Sequence, residues 1–381
     1  MAKEISGRVF LKRLEEQGNK RYQSYDALYD FLDAKARKRG IPLNGQFELT
    51  PLCNFDCKMC YTHLTKDQMS DKSLLTVKEW KQIVDEAYAA GMMRVNLTGG
   101  ECLTYPGFEE LYLYLHNKGI ETRVLTNGAL LDSHWIEFLK AHPPILVQFS
   151  LYGGDEDTYE RVTGKRGFET VIANIVSAQQ AKLPVSVVIT PSKYMGEGVF
   201  NALRWVSKAG IPYSIGSWLM DPKEETGRAH CNHNLDVDYY RRIYELRNEL
   251  EGIETHSIES EKLPPVGGPY HQTDICGMTC GAGLSCFAID WDGKMLACNS
   301  MRDNYGWPLK EGFLPVWERL HEISANWIRI PECMECPYLK VCTNCVVQKE
   351  AFAERGKQPT KLCEQTKYLV EHGVKAIPVC E

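Results

Sequence analysis

From residue 46 onward, the pattern of apolar and polar positions switches repeatedly between two types of segment. Strand-like apolar runs fall at 47–50, 94–98, 122–126, 145–151, 185–190 and 213–219. Helical spacing fills the gaps between them, at 76–90, 107–118, 132–141, 155–181 and 196–209. Six strand–helix alternations predict an α/β fold with a parallel sheet and right-handed crossovers. Six units fit a partial (β/α)6 TIM-like barrel, not a closed ring of eight. Several strands end in small or polar residues: Thr98-Gly99-Gly100-Glu101, Thr126-Asn127-Gly128, Ser150 and Thr190-Pro191. In parallel barrels such strand ends build the active site.

The flanks have a different texture. Residues 1–45 read as a charged helical lead-in, with Leu11, Leu14, Tyr22, Leu28 and Phe31 in weak helical spacing. The barrel is expected over 46–235. A helix near 237–250 and the Pro/Gly stretch 263–270 make a linker over 236–275, and a cysteine-rich module occupies 276–381.

Composition narrows the function. The 381 residues are 44% hydrophobic and 25% charged, with a net charge of −6. Those are values of a soluble globular protein, and no basic patch argues for nucleic acid. No run of about 18 apolar residues and no signal peptide is visible, so a cytoplasmic protein without membrane contact is expected. Cytoplasmic thiols stay reduced, so fifteen cysteines point to metal ligation. Ten of them crowd into 276–380, in a module too small and polar to fold mainly on an apolar core. Bound clusters would supply the missing folding energy.

Cys53, Cys57 and Cys60 form a CxxxCxxC loop directly after an extended run. Three thiolates on one loop can hold three irons of a 4Fe–4S cluster and leave the fourth iron open to a ligand. Zinc sites instead close all four positions with CxxC pairs or Cys and His, so zinc-bound or merely buried cysteines are the alternative. The tail spaces its cysteines as Cys280-x5-Cys286-x6-Gly293-x4-Cys298, then Cys333-x2-Cys336-x5-Cys342-x2-Cys345, then Cys363. Eight thiolates suffice for two further 4Fe–4S clusters, with a zinc ribbon as the alternative. The stretch from Ala288 to Cys298 reads as a hairpin turning at Asp292-Gly293. Cys276 and Cys380 read as spare thiols, and Cys231, between His230 and His233, as part of a solvated loop. No HExxH, phosphate loop or GxSxG elbow is present.

Together these motifs resemble the radical S-adenosylmethionine (SAM) superfamily, and the tail resembles its SPASM-domain branch. The resemblance covers about residues 46 to 365. It implies that Cys53, Cys57 and Cys60 hold the SAM-binding cluster. It also implies that Gly99, Gly100 and Glu101 meet the SAM amino group, through close backbone approach and a carboxylate–ammonium pair. Ser150 matches a ribose- or carboxylate-contacting serine, and Arg161 an arginine pairing with the methionine carboxylate. Asn127 and Tyr61 fall where relatives place polar groups near the cofactor. Interlaced ligation would assign Cys280, Cys286, Cys298 and Cys345 to one auxiliary cluster, and Cys333, Cys336, Cys342 and Cys363 to the other. The gap between Cys342 and Cys345 is two residues where the family usually has three. Cys102 stands where most relatives have proline, and reads as a packed thiol more readily than a reactive one.

The resemblance implies SAM cleavage to a 5′-deoxyadenosyl radical that takes hydrogen from a ribosomally made peptide. An oxidative crosslink (thioether, C–C or C–O) is the favoured outcome, with electrons from a donor such as flavodoxin or ferredoxin. With a short N-terminal segment, a peptide leader would be met by the barrel surface, the acidic helix near 236–251, or a separate leader-binding protein. The alternatives are formylglycine formation as in anaerobic sulfatase-maturing enzymes, peptide epimerisation, small-molecule dehydrogenation, or a non-catalytic iron–sulfur electron carrier. Sulfatase maturation calls for an aspartate after the third tail cysteine. Asn299 stands there, and an amide takes no proton at neutral pH. Candidate catalytic groups are Cys102, Asp290 and Asn299, with Asp292, Tyr213 and Trp218 also worth inspecting.

Overall fold

The computed structural model describes residues 21–216, 219–227, 236–253, 278, 280–327, 333, 336, 338, 345, 347 and 360–371. Helix α1 (Arg21–Arg39) precedes the first strand, β1 (Asn44–Glu48). Then follow α2 (Val77–Ala89), β2 (Arg94–Thr98), α3 (Phe108–Asn117), β3 (Glu121–Thr126), α4 (Ser133–Ala141) and β4 (Leu146–Ser150). Next come α5 (Glu156–Thr163), α6 (Phe168–Gln180), β5 (Val185–Ile189), α7 (Gly198–Lys208) and β6 (Tyr213–Ile215). Strands β1 to β6 pair in sequence order, all parallel, as the half-barrel expectation requires.

Three expected elements changed. The first strand runs over Asn44–Glu48, not 47–50. The single helix expected over 155–181 is two helices. Gly164 ends α5 at φ +75, a left-handed conformation that glycine adopts without a Cβ clash. The Glu156 carboxylate then accepts from the amides of Gly167 and Glu169, starting α6 in a new direction. The sixth strand stops at Ile215, short of the expected 219.

The tail does not stand apart from the sheet. After α8 (Val237–Glu251) the chain returns as β7 (Cys286–Ile289), which pairs parallel with β1. Strands β8 (Met295–Leu296) and β9 (Tyr305–Gly306) follow antiparallel, completing a nine-stranded sheet. The expected hairpin is present, and its turn carries Gly293 at φ +94. Helices α9 (Pro308–Glu311) and α10 (Phe313–Ala325) pack behind it, and α11 (Thr360–Glu371) lies against α8. Phe287 of β7 sits among Phe47, Phe313 and Trp317, and Phe47 stacks on Trp80 of α2 at 5.0 Å. Burying one such ring is worth roughly 2–3 kcal/mol, so the seam between barrel and tail is a hydrophobic core.

Alternation along the strands sets the character of the barrel. Phe47, Val95, Leu97, Val124, Val147, Phe149, Val187 and Ile189 are fully buried on the helix side. The opposite, inner face carries Gln46, Asn96, Arg123, Gln148, Ser150 and Ser186, interspersed with Leu125, Leu146 and Val188, all only partly buried. A mainly polar inner face suits a ligand chamber better than a packed core.

At the N-terminal ends of the strands, α1 closes the barrel. Asp33 accepts from Ser285 Oγ (2.7 Å), Arg37 Nε (3.1 Å) and Asn44 Nδ2 (3.3 Å). Tyr29 donates to Asn44, and Arg94 lies 3.5 Å from the Tyr29 ring centre while bridging Glu121 at 2.9 Å. Among the described residues, no helix is long and apolar enough to cross a membrane.

Candidate active site

The C-terminal ends of the strands carry the motifs. The cysteine loop leaves β1 and lies backbone to backbone on the Gly99-Gly100-Glu101 turn. Gly100 N donates to Thr50 O at 2.7 Å, and Glu101 N donates to Leu52 O at 3.0 Å. A Cβ on Gly99 would sit 2.4 Å from Thr50 O, and one on Gly100 2.4 Å from Leu52 O. Gly99 also holds φ +150. These glycines therefore let two protein loops approach each other.

The thiols receive N–H groups. Cys53 Sγ accepts from Phe55 N (3.4 Å) and Asn127 Nδ2 (3.6 Å), and Cys60 Sγ from His63 N (3.3 Å). Amides aimed at sulfur are what a cluster-bound thiolate calls for. The loop is pinned to α5 by Asp56 N on Thr163 O and Lys58 N on Val162 O. Burial raises the Tyr152 phenol, and the nearby Cys57, Cys53 and Cys60 raise it further, so the three sulfurs share one neighbourhood. Burial pushes the Cys53 thiol up to about 12, so iron binding there must displace a proton.

The remaining sequence candidates are distributed unevenly. Glu101 is buried, and its carboxylate accepts from Thr126 Oγ1, Asn127 N, Leu103 N and Cys102 Sγ. Burial raises its pKa while those donors oppose the rise. It staples the ends of β2 and β3. Cys102 is fully buried and also donates to Leu125 O; burial and Glu101 hold its thiol well above the usual range. Asn127 bonds Asn54 at 2.7 Å and so sits against the cysteine loop. Ser150 ends β4 on the inner face and hydrogen-bonds Tyr152. Arg161 spends three bonds holding Tyr194 O, Met195 O and Thr158 Oγ1. That ties it to the segment after β5.

In the tail, Cys298 is raised to about 12 by burial and then by Cys280 and, further down, Cys345; Cys286 is raised by burial and, more weakly, by Cys280. Cys280 therefore lies near both Cys286 and Cys298, and Cys345 near Cys298. Cys333 and Cys336 share a turn, and Cys363 lies on α11. Cys231, Cys276, Cys342, Cys380 and Trp218 lie outside the described residues. Tyr213 is buried in β6. Among the described residues, no three His, Cys, Asp or Glu side chains close around a single metal ion.

Sequence reasoning missed a buried charged network beside the cysteine loop. Lys223 Nζ bridges Glu48 Oε1 (2.6 Å) and Asp290 Oδ2 (2.9 Å). Glu48 also accepts from Thr62 Oγ1 (2.5 Å), Tyr61 Oη (3.2 Å) and Asn299 Nδ2 (3.4 Å), and Asn299 donates to Tyr61 Oη at 3.0 Å. Glu48, Lys223, Asp290 and Asn299 are 1%, 6%, 6% and 5% exposed. Burial alone would lower the Lys223 ammonium, but the two carboxylates outweigh it and raise it. Tyr61, expected against the cofactor, belongs to this network. Glu48 was signalled only by a carboxylate on the inner face of a strand; Lys223, in a polar run, gave no signal.

The radical SAM superfamily profile matches residues 47–193. The mycofactocin maturase MftC of Mycobacterium tuberculosis is 30% identical over 292 residues, covering 74% of this chain and 72% of that protein. This chain belongs to the radical SAM superfamily, in its SPASM-type maturase branch. The AdoMet-dependent heme synthase of Methanosarcina barkeri is 26% identical over 347 residues, covering 81% of this radical SAM enzyme and 92% of that one. Among solved structures, Streptococcus suis SuiB bound to its precursor peptide SuiA matches with a TM-score of 0.66 at 19% identity, over 87% of this chain and 78% of that chain, a likeness of fold. The family implies a 4Fe–4S cluster and SAM.

Proposed function

We propose that this radical SAM enzyme modifies a peptide, forming an oxidative crosslink. The observation that carries the reading is the docking of the Cys53–Cys57–Cys60 loop onto the Gly99–Glu101 turn and Asn127, at the open end of a polar-lined barrel. The cluster and SAM, when bound, supply sulfonium cleavage and a carbon radical that removes a hydrogen atom. Cys53, Cys57 and Cys60 hold that cluster. The Gly99–Gly100 backbone, Asn127 and Ser150 face SAM, while Glu101, Arg161 and Tyr61 support the loops around it. Residues 46–235 form the catalytic barrel and 276–381 the auxiliary module, which borrows the barrel's sheet edge through β7.

Cys280, Cys286, Cys298 and Cys345 hold one auxiliary 4Fe–4S cluster, and Cys333, Cys336, Cys342 and Cys363 a second. The crosslink releases one electron beyond the hydrogen atom, and these clusters give it a way out. The reading places the enzyme in a reducing cytoplasm with a flavodoxin- or ferredoxin-type donor. MftC, a maturase by name, and SuiB, seen with a precursor peptide, support the substrate class.

Three clusters predict about twelve irons per chain; about four irons together with zinc would refute the tail assignment. Co-expression with a candidate precursor peptide tests the reaction. A peptide lighter by two hydrogen atoms is expected, and a peptide of unchanged mass but inverted stereochemistry would replace crosslinking with epimerisation. A second reading, chemistry on a tetrapyrrole, is favoured by the near full-length likeness to the heme synthase. A tetrapyrrole altered in the same assay, with every peptide unchanged, would establish it instead.

A further inference from the structure

The network at the barrel mouth is left with a specific deficit. Every oxygen of Glu48 is engaged: Oε1 by Lys223 and Thr62, Oε2 by Tyr61 and Asn299. Asp290 is engaged only through Oδ2. Its Oδ1 is buried with no hydrogen-bond partner, and so is Oδ1 of Asn299 in the same network. One ammonium serves two carboxylates, so with all three ionised the cluster holds one negative charge too many. Buried acceptors left open in this way are rare and call for an explanation. A hydrogen-bond donor brought by the substrate would satisfy them.

We propose that Asp290 is the proton acceptor of this site, taking a proton from a substrate hydroxyl, thiol or amide N–H brought to its free oxygen, with Glu48 and Lys223 as positioning residues. The substrate X–H bond breaks, an O–H bond forms on Asp290, and the electron pair stays on X. No oxidant is consumed in this step, and the proton then passes to solvent. The proposal rests on the radical peptide-modifying reading, because it supplies the nucleophile for a crosslink. Asn299 is an amide and accepts no proton at neutral pH. Cys102 is sealed against Leu125 and Glu101.

The electrostatics agree with the geometry. Burial and then the like charge of Glu48 raise the Asp290 carboxyl, Lys223 opposes them, and Asp292 adds a small push, leaving it at about 7. The groups facing it are Glu48 from β1, Lys223 from 219–227, Asp292 from the hairpin turn, and Tyr61 from the cysteine loop. A base poised near neutrality exchanges protons most effectively.

Infrared titration of the full-length protein, anaerobically reconstituted with iron and SAM and carrying 13C-aspartate, tests this. One protonated carboxyl band should vanish as pH rises through neutrality. It should be missing in Asp290→Asn and should titrate at lower pH in Glu48→Gln, which removes the like charge. Dicyclohexylcarbodiimide, which labels protonated carboxyls, should modify Asp290 in acid and progressively less above neutrality. A band that persists in Asp290→Asn, an Asp290 that titrates in the ordinary aspartate range, a Glu48→Gln titration at the wild-type pH, or no Asp290 adduct at any pH would each overturn the assignment. Formation of 5′-deoxyadenosine from SAM and dithionite by the wild-type protein separates the two claims. Its absence defeats the radical reading, whereas its presence beside a non-titrating Asp290 defeats the base alone.

Discussion

The two ends of the barrel are closed by buried polar networks of similar size and opposite completeness. At the N-terminal end, Asp33 has both oxygens engaged, and Arg94 is held by Glu121 and the Tyr29 ring. At the C-terminal end, Lys223 ties Glu48 to Asp290, yet Asp290 and Asn299 each keep an unpartnered oxygen. A satisfied network rigidifies and specifies the fold, whereas an unsatisfied one carries a standing cost that a ligand can relieve. The completed network makes the lower end a plug, and the open acceptors fit the proposed site at the upper end. The motifs agree, since the cysteine loop, Asn127 and Ser150 all lie at the upper end.

The largest effect should come from the loop itself. Replacing Cys53, Cys57 and Cys60 together by alanine should reduce SAM cleavage to background while iron remains in the tail; retained cleavage would move the site elsewhere. Next is the upper network. Lys223→Met leaves two carboxylates buried without a counter-charge, and should cost about 3–5 kcal/mol in denaturant unfolding. A cost below about 1 kcal/mol would mean that water already screens the trio.

At the seam, Phe287→Ala should cost about 3–5 kcal/mol and lower the midpoints of barrel and tail together, because β7 belongs to the barrel's sheet. Two separate transitions would show the tail to be an independent unit.

The pH dependence sharpens the contrast further. The Asp290 pKa is raised on folding, so the folded state binds more protons than the unfolded state between about 4 and about 7. That contribution to stability is fully present below about 4 and is lost as pH rises through about 7. Asp290→Asn should flatten this slope; an unchanged slope would assign it to another group. The smallest effect belongs to the plug. Tyr29→Phe removes one hydrogen bond from a satisfied network and should cost about 1 kcal/mol, with SAM cleavage unchanged.

Local features were legible in the sequence. Strands β2 to β5 fell within about a residue of expectation, because apolar residues alternate against a polar inner face. The break at Gly164 was missed because α5 and α6 are both amphipathic and only four residues separate them. Long-range pairing left no local trace. Nothing around Cys286 announces β1 as its neighbour 242 residues upstream, counting from the paired Asn44. Lys223, in Asp221-Pro222-Lys223-Glu224, reads as a solvated loop charge, and only folding brings it beneath Glu48. The cysteine spacings were plain, but their supports were not. Glu101 and Arg161 hold protein loops in place, which a motif alone does not reveal.

The most direct test of the account is the anaerobic reaction of the reconstituted protein with SAM and dithionite. 5′-Deoxyadenosine should accumulate with the wild-type chain and vanish when Cys53, Cys57 and Cys60 are alanine. A fully iron-loaded wild-type protein that yields none would contradict it and leave an electron carrier in place of an enzyme.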